Sequence, residues 1–237
     1  MKETRQLQDE ELVIRFNDIH PKQIWLDKNN VEKRYLYQLS KRIIDIVGSI
    51  VGLILASPLL VYVAYKIKKE EPGSPIIFSQ TRIGKNGKAF EMYKFRSMCV
   101  DAEEKLIDLL DQNEIEGAMF KIKDDPRITK IGKVIRAKSI DELPQLWNVL
   151  KGDMSLIGPR PPLEREVAEY TEYDLQRLYV KPGCSGLWQI SGRNDVSFHK
   201  MVELDLEYIN KQCLSYDLSL ILRTIYIVIK SNGAYYQ

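Results

Sequence analysis

The hydrophobic pattern of the chain is dominated by one segment, Ile43 to Tyr65, reading IIDIVGSIVGLILASPLLVYVAY. At about 23 residues, a helix here is long enough to cover a ~30 Å hydrocarbon core. Pro58 follows Ser57 in its middle. A proline lacks the N–H that would serve the carbonyl four residues back and crowds the preceding turn, so a kink or break is expected there. The Ser57 hydroxyl can help satisfy the freed backbone groups. Further on, Ile76 to Gln80 reads as a strand, 81–87 as a turn and Phe90 to Met98 as a second strand, together a hairpin. Asp101-x-x-Glu104 is a capping-box pattern opening a helix through about Leu110. Leu143, Leu146, Trp147 and Leu150 recur at helical spacing, with Gly152 as a natural stop. Pro161 to Tyr179 includes a charged helical stretch, and Val202 to Asn210 is helical by pattern. Ser219 to Lys230 is apolar but, at about 12 residues, too short to span a bilayer; it can pack in the core or lie in an interface.

Charge refines the picture of the apolar run. Lys33, Arg34, Lys41 and Arg42 precede it, and Lys66, Lys68 and Lys69 follow it. Lysine and arginine beside a membrane segment hold that end in the cytoplasm, so a straight span leaves one basic end on the wrong side. A helix broken at Ser57-Pro58 that enters and leaves through one leaflet satisfies both ends. A kinked single span and a buried core helix are the alternatives. Acidic residues upstream, among them Asp9, Glu10 and Glu11, do not fit a cleavable signal peptide. Asp45 is expected near the interface, paired within one turn of Lys41 and Arg42.

The totals exclude more than they assert. A length of 237 residues allows one sizeable domain with attachments. The net charge of +2 is too mild to argue for nucleic acid. Three widely spaced cysteines lack metal-type spacing and fit a reducing compartment, and two histidines argue against a zinc site or a Ser-His-Asp triad. Any catalysis falls to carboxylates, Lys, Arg, Ser or Tyr.

Those residues gather around Asp141-Glu142. With Ser139 as N-cap, Pro144 would fall inside the helix, where its missing N–H is costly. A helix starting near Asp141 puts Pro144 in the first turn and Asp141 at the positive end of the helix dipole. An ionised Asp141 near Arg136 and Lys138 could bind a metal or attack phosphorus; the bland reading is a cap with surface charge. Lys94 and Arg96 alternate in a strand and share one face. Arg127, Arg136, Arg160 and Arg193 lie in or beside Gly/Pro-punctuated segments. Prolines and a glycine stiffen the backbone at Arg160, which suits bidentate phosphate recognition.

Taken in order, these motifs cease to be anonymous. Ser57-Pro58, Lys94-Phe95-Arg96-Ser97-Met98, Asp125-Pro126-Arg127, Arg136 five residues before Asp141-Glu142, and Leu143-Pro144-Gln145-Leu146-Trp147-Asn148-Val149 are followed by Lys151-Gly152-Asp153-Met154-Ser155, Gly158-Pro159-Arg160-Pro161, Lys181-Pro182-Gly183, Gly186-Leu187-Trp188-Gln189 and Ser191-Gly192-Arg193. From about Lys41 to Gln237 the chain resembles the monotopic phosphoglycosyl transferases, a family of bacterial sugar transferases, in their small form. The resemblance implies an α+β fold: a polar arm (residues 1–40), a re-entrant membrane helix (41–69) and a compact, mostly helical catalytic domain (70–237) with a small hairpin sheet. It implies transfer of a sugar-1-phosphate from a UDP-sugar to undecaprenyl phosphate, with UMP leaving, at the cytoplasmic face of the bacterial inner membrane. Asp141 would be the nucleophile and a Mg²⁺ ligand, with Glu142 as its partner. Lys94, Arg96, Arg136 and Arg160 would hold phosphates, and membrane lipid would surround the helix. A membrane-tethered hydrolase with the same carboxylates and a non-catalytic scaffold are the rival expectations.

Overall fold

The computed structural model describes residues 23–107, 122, 125–191 and 197–230. The architecture is α+β and mostly helical, with two small two-stranded sheets. A short helix α1 (Lys28–Glu32) leads into α2 (Tyr35–Glu70), 36 residues long. Helix α2 begins ahead of the apolar run and passes through Ser57-Pro58 without interruption, where a break was expected. The reason is local. Pro58 leaves the Ile54 carbonyl without its usual donor, and the Ser57 hydroxyl donates to that oxygen at 2.7 Å.

Among the described residues, little packs over the middle of α2. Ile54, Leu55, Leu59, Val61 and Tyr62 in its middle are exposed, whereas Asp45, Ser49, Val63 and Ile67 are buried. Near one end the Arg42 guanidinium donates to the carbonyls of Val149 and Leu150. At the other end the Glu70 carboxylate accepts from the backbone N–H groups of Lys130 and Ile131, at 2.7 and 2.9 Å. Both ends of the apolar helix therefore rest on the same body. Asp45 finds different partners from those expected: it accepts from Ser155 Oγ and the Leu156 N–H, while Lys41 pairs with Asp217.

The hairpin forms from β1 (Ile77–Ile83) and β2 (Ala89–Phe95), antiparallel, with Ile83 opposite Ala89. It is longer on its first arm and tighter at its turn than the pattern indicated: Thr81, Arg82 and Ile83 are strand, and β2 ends before Arg96. Helix α3 (Ala102–Ile107) is followed by α4 (Lys130–Ala137), capped by the Thr129 side chain on the Gly132 N–H. Helix α5 (Gln145–Lys151) ends at Gly152, whose φ of 94° is one that glycine adopts without strain.

Strand β3 (Ser155–Ile157) pairs in parallel with β4 (Gly183–Ser185). Their neighbourhood is so tight that a Cβ at Gly183 would collide with the Gly158 backbone. Short helices α6 (Glu164–Ala168), α7 (Glu172–Leu175) and α8 (Leu187–Ile190) precede the long pair α9 (Phe198–Lys211) and α10 (Leu214–Lys230). Val202, Leu206, Ile209 and Leu220 from that pair close over Ile157 to make the main core. A second cluster joins Val63 and Ile67 of α2 to Phe95 and Ile135. Helix α10 starts earlier than its apolar stretch and divides its two fates: Leu220 is buried, while Leu218, Leu222, Ile225 and Tyr226 are exposed. The helix end expected near Leu110, and Gly192 and Arg193 of the Ser191-Gly192-Arg193 motif, lie outside the described residues.

Candidate active site

Asp141 does not open α5. It lies in a tight 3-10 turn, Ile140–Glu142, and α5 begins beyond Pro144. The turn is forced by Ser139, whose φ of 53° is left-handed and uncommon outside glycine. Ser139 does not cap the turn through its side chain, so the reading of Ser139 as a side-chain N-cap falls. Helix-dipole stabilisation is correspondingly displaced by a stronger effect. Burial, and then the negative charge of Glu142, push the Asp141 carboxyl up to about 6, with Lys94 and Arg136 pulling the other way.

Lys94 reaches this turn because of how β2 is held. Phe90, Met92 and Lys94 share one face of the strand, and the first two pack toward Val149 of α5. Buried Asn148 of α5 then behaves like a neighbouring strand: its Oδ1 accepts from the Tyr93 N–H at 3.0 Å and its Nδ2 donates to the Glu91 carbonyl at 2.6 Å. With β2 fixed on both edges, Lys94 Nζ meets Glu142 Oε1 at 3.0 Å. Arg136 arrives from the last turn of α4, whereas Lys138 is exposed.

The other expected cations sort differently. Arg96 shares the face of Lys94, but its Nε donates to the Pro75 carbonyl and its guanidinium lies over the Phe78 ring. Arg160 pairs with Glu166 at 2.9 Å, so its fork is occupied within the protein. Burial alone would raise Glu166, yet Arg160 holds that carboxyl below its ordinary value. Arg127 forms a buried clamp with Asp125. Arg193 lies outside the described residues.

Sequence reasoning missed Arg82. It is buried, donates to the Pro161 carbonyl and Gln80 Oε1, and stands beside Arg160, Glu166 and Glu142. Burial, then the like charge of Arg160, push its guanidinium down to about 10. Two arginines thus face Glu166, leaving positive charge flanking the dyad. Behind them, buried Arg177 binds Asp205 at 2.6 Å and donates to the Arg160 carbonyl at 3.3 Å, fixing the backbone that carries Arg160. Had strand β1 been extended by three residues in the reading, alternation would have marked Arg82 as a strand residue near the site.

Among the described residues, no group of three or more His, Cys, Asp or Glu side chains forms a metal cage. The dyad nonetheless suits Mg²⁺, which takes one or two carboxylates and fills its remaining positions with water and phosphate oxygens. The repulsion that Glu142 imposes on Asp141 is what a dication there would relieve.

The model of the family described as bacterial sugar transferase matches residues 36–231. The chain is 50% identical over 202 residues to galactosyl transferase CpsE of Streptococcus agalactiae, covering 85% of this chain and 44% of that protein. It is 46% identical over 212 residues to undecaprenyl-phosphate galactose phosphotransferase of Salmonella typhimurium, covering 88% and 44%. Against exopolysaccharide production protein ExoY of Rhizobium meliloti it is 40% identical over 201 residues, covering 83% of this chain and 88% of that one. The chain thus spans less than half the length of the first two relatives. A buried Asp141 beside a half-exposed Glu142, among cations and set against a long apolar helix, accords with that match: this chain belongs to the bacterial sugar transferases.

Proposed function

We propose that the protein transfers a sugar-1-phosphate from a UDP-sugar to undecaprenyl phosphate at the cytoplasmic leaflet, the first step in building a bacterial polysaccharide. The observation that carries this reading is Asp141: buried, beside Glu142, in the field of Lys94 and Arg136, and in no ion pair among the described residues. In the first half-reaction an Asp141 oxygen attacks the β-phosphorus. The bond from that phosphorus to the bridging oxygen breaks, and UMP leaves with the electron pair. In the second, an oxygen of undecaprenyl phosphate attacks the same phosphorus, and the Asp141 carboxylate departs to give the lipid-diphosphate sugar. Such covalent catalysis lets one pocket serve a soluble donor and a membrane-bound acceptor in turn.

Asp141 and Glu142 would hold Mg²⁺, whose chemistry when bound is to offset charge on the diphosphate. Glu142, tethered by Lys94, is placed to take part in orienting or deprotonating the incoming phosphate. Arg136, Arg82 and Arg160 supply the positive surround for transferring phosphoryl oxygens.

The membrane part of the reading rests on α2. Arg42 and Glu70 are separated by about 42 Å of helix at 1.5 Å per residue, more than a ~30 Å hydrocarbon core. Yet both ends bind one body, which favours a re-entrant helix over a span. Trp147, Leu222, Ile225 and Tyr226 offer further exposed apolar surface to lie in the interface.

Protein in nanodiscs, given a panel of radiolabelled UDP-sugars and Mg²⁺, tests the whole scheme. Expected are UMP release without acceptor, a phosphosugar adduct on Asp141 by mass spectrometry, and lipid-linked sugar once undecaprenyl phosphate is added. Release of free sugar phosphate with no lipid product would convert the reading to a hydrolase.

A further inference from the structure

A second positively charged recess lies apart from the dyad. A pocket of about 150 Å³, room for more than a single water, opens between the start of α2, β3 and the residues before β4. Lys41, Arg42, Lys85 and Lys181 line it, against one lining carboxylate, Asp45; no residue of the Asp141 cluster does. These charges are not matched internally. Lys41 is engaged by Asp217 at 3.2 Å. Asp45 is taken up by Ser155 Oγ at 3.0 Å and the Leu156 N–H at 2.9 Å. Arg42 donates to two carbonyls, which uses two of the five N–H donors of a guanidinium and leaves its charge unmatched. Lys85 and Lys181 have no ion pair among the described residues.

Two of these cations are also close. A Cβ built at Gly152 would lie 3.4 Å from both Arg42 Nη2 and Lys181 Nζ. The two nitrogens are therefore no more than about 7 Å apart, a gap that one phosphate can bridge with charge-assisted hydrogen bonds of about 2.7–2.9 Å. Burial first, then the charge of Arg42, hold the Lys181 ammonium below its ordinary value, with Lys85 adding to the repulsion and Asp45 and Asp153 opposing it. Lys41 and Arg42 immediately precede the apolar run, so on the membrane reading proposed above the pocket would sit at headgroup depth.

We propose that this pocket is a phosphate-binding subsite, distinct from the Asp141 cluster, taking the phosphate of an anionic lipid headgroup or of a soluble phosphorylated compound. The proposal does not depend on the transfer reaction. The full chain in phosphatidylcholine nanodiscs is treated with an amine-acylating reagent, and labelling of Lys181 is followed by peptide mass spectrometry. Inorganic phosphate is compared with chloride at equal ionic strength, and phosphatidylglycerol nanodiscs with phosphatidylcholine ones. Exposed Lys200 of α9 serves as the control. Slower labelling of Lys181, but not Lys200, supports the subsite: in phosphate alone it assigns a soluble ligand, in phosphatidylglycerol alone a lipid headgroup, and in both the shared chemistry. Lys85→Gln is expected to raise the phosphate concentration for half-protection about threefold. Equal labelling of Lys181 in all three conditions, or a half-protection point unmoved by Lys85→Gln, overturns the proposal.

Discussion

Asp141 and Asp205 are both buried aspartates beside arginine, and burial is the first cause that pushes each carboxyl up to about 6. Asp205 meets Arg177 at 2.6 and 2.8 Å from two guanidinium nitrogens. Among the described residues, Asp141 has no ion pair; Lys94 spends its ammonium on Glu142 instead, and Arg136 acts at longer range. A carboxylate whose Oδ2 is held by two guanidinium nitrogens of a buried arginine is committed to structure, because that arginine's charge would otherwise be left uncompensated. A carboxylate surrounded by charge but in no ion pair keeps its oxygens for an electrophile or a metal. The same residue type, at similar burial, is thus scaffold in one place and reagent in the other.

The sharpest way to break this comparison is to exchange each aspartate for asparagine. Asp141→Asn should reduce sugar-phosphate transfer by at least about 10³-fold, the order expected for losing a nucleophile, while the protein still folds. Radiolabelled product formation in nanodiscs reads it. Transfer at the native rate would end the nucleophile assignment. Asp205→Asn should do the reverse. Leaving Arg177 buried and uncompensated costs about 3–5 kcal/mol of stability, read as a lower melting temperature, while turnover per folded molecule stays within an order of magnitude. Collapse of chemistry with unchanged stability would place Asp205 in the reaction and erase the distinction.

Of intermediate size is the effect of Asp141 on stability itself. Its folded-state value, about 6, lies above the ordinary 3.8. Between those values the folded chain binds more protons than the unfolded one, so stability is lost as pH rises through that window and the full penalty is present at neutral pH. Asp141→Asn should therefore stabilise the protein by on the order of 2 kcal/mol at pH 7.5 in metal-free buffer. The gain should shrink as the pH is lowered toward 5. A variant that melts below the native protein at pH 7.5 would mean that Asp141 is paired after all.

How much of this was legible in the chain depended on the distance over which each interaction acts. The Ser57–Pro58 remedy was readable because donor and orphaned carbonyl are three residues apart, as was the stop at Gly152. Asp141-Glu142 was readable as a pair, but its environment was not. The left-handed Ser139 converts the expected helix start into a 3-10 turn, and the burial that raises Asp141 comes from elements remote in sequence. Arg82 was hidden by a strand end misplaced by three residues. Arg177 and Asp205 are 28 positions apart, and Asp45 is 110 from Ser155, so nothing local announces either partnership. The prolines and glycine around Arg160 were visible in the chain, but Glu166, which occupies its guanidinium, could be found only from the fold.

The smallest effects give the most discriminating test, because they carry opposite signs. Glu142 raises the Asp141 carboxyl and Lys94 lowers it. The ionised form is the one that attacks, so the acidic limb of the pH profile for UMP release without acceptor should follow Asp141, with kcat/KM reporting the free enzyme. Glu142→Gln removes a like charge, eases ionisation and moves that limb to lower pH. Lys94→Met removes a favourable cation and moves it to higher pH. Each displacement should be no more than about one pH unit, equivalent to ~1.4 kcal/mol. Omitting the lipid acceptor matters, because its own phosphate titrates in the same range. If neither variant moves the limb, Lys94 and Glu142 exert no separate field on Asp141. Its carboxyl is then raised by burial alone, and its likeness to Asp205 is closer than the geometry of its neighbours implies.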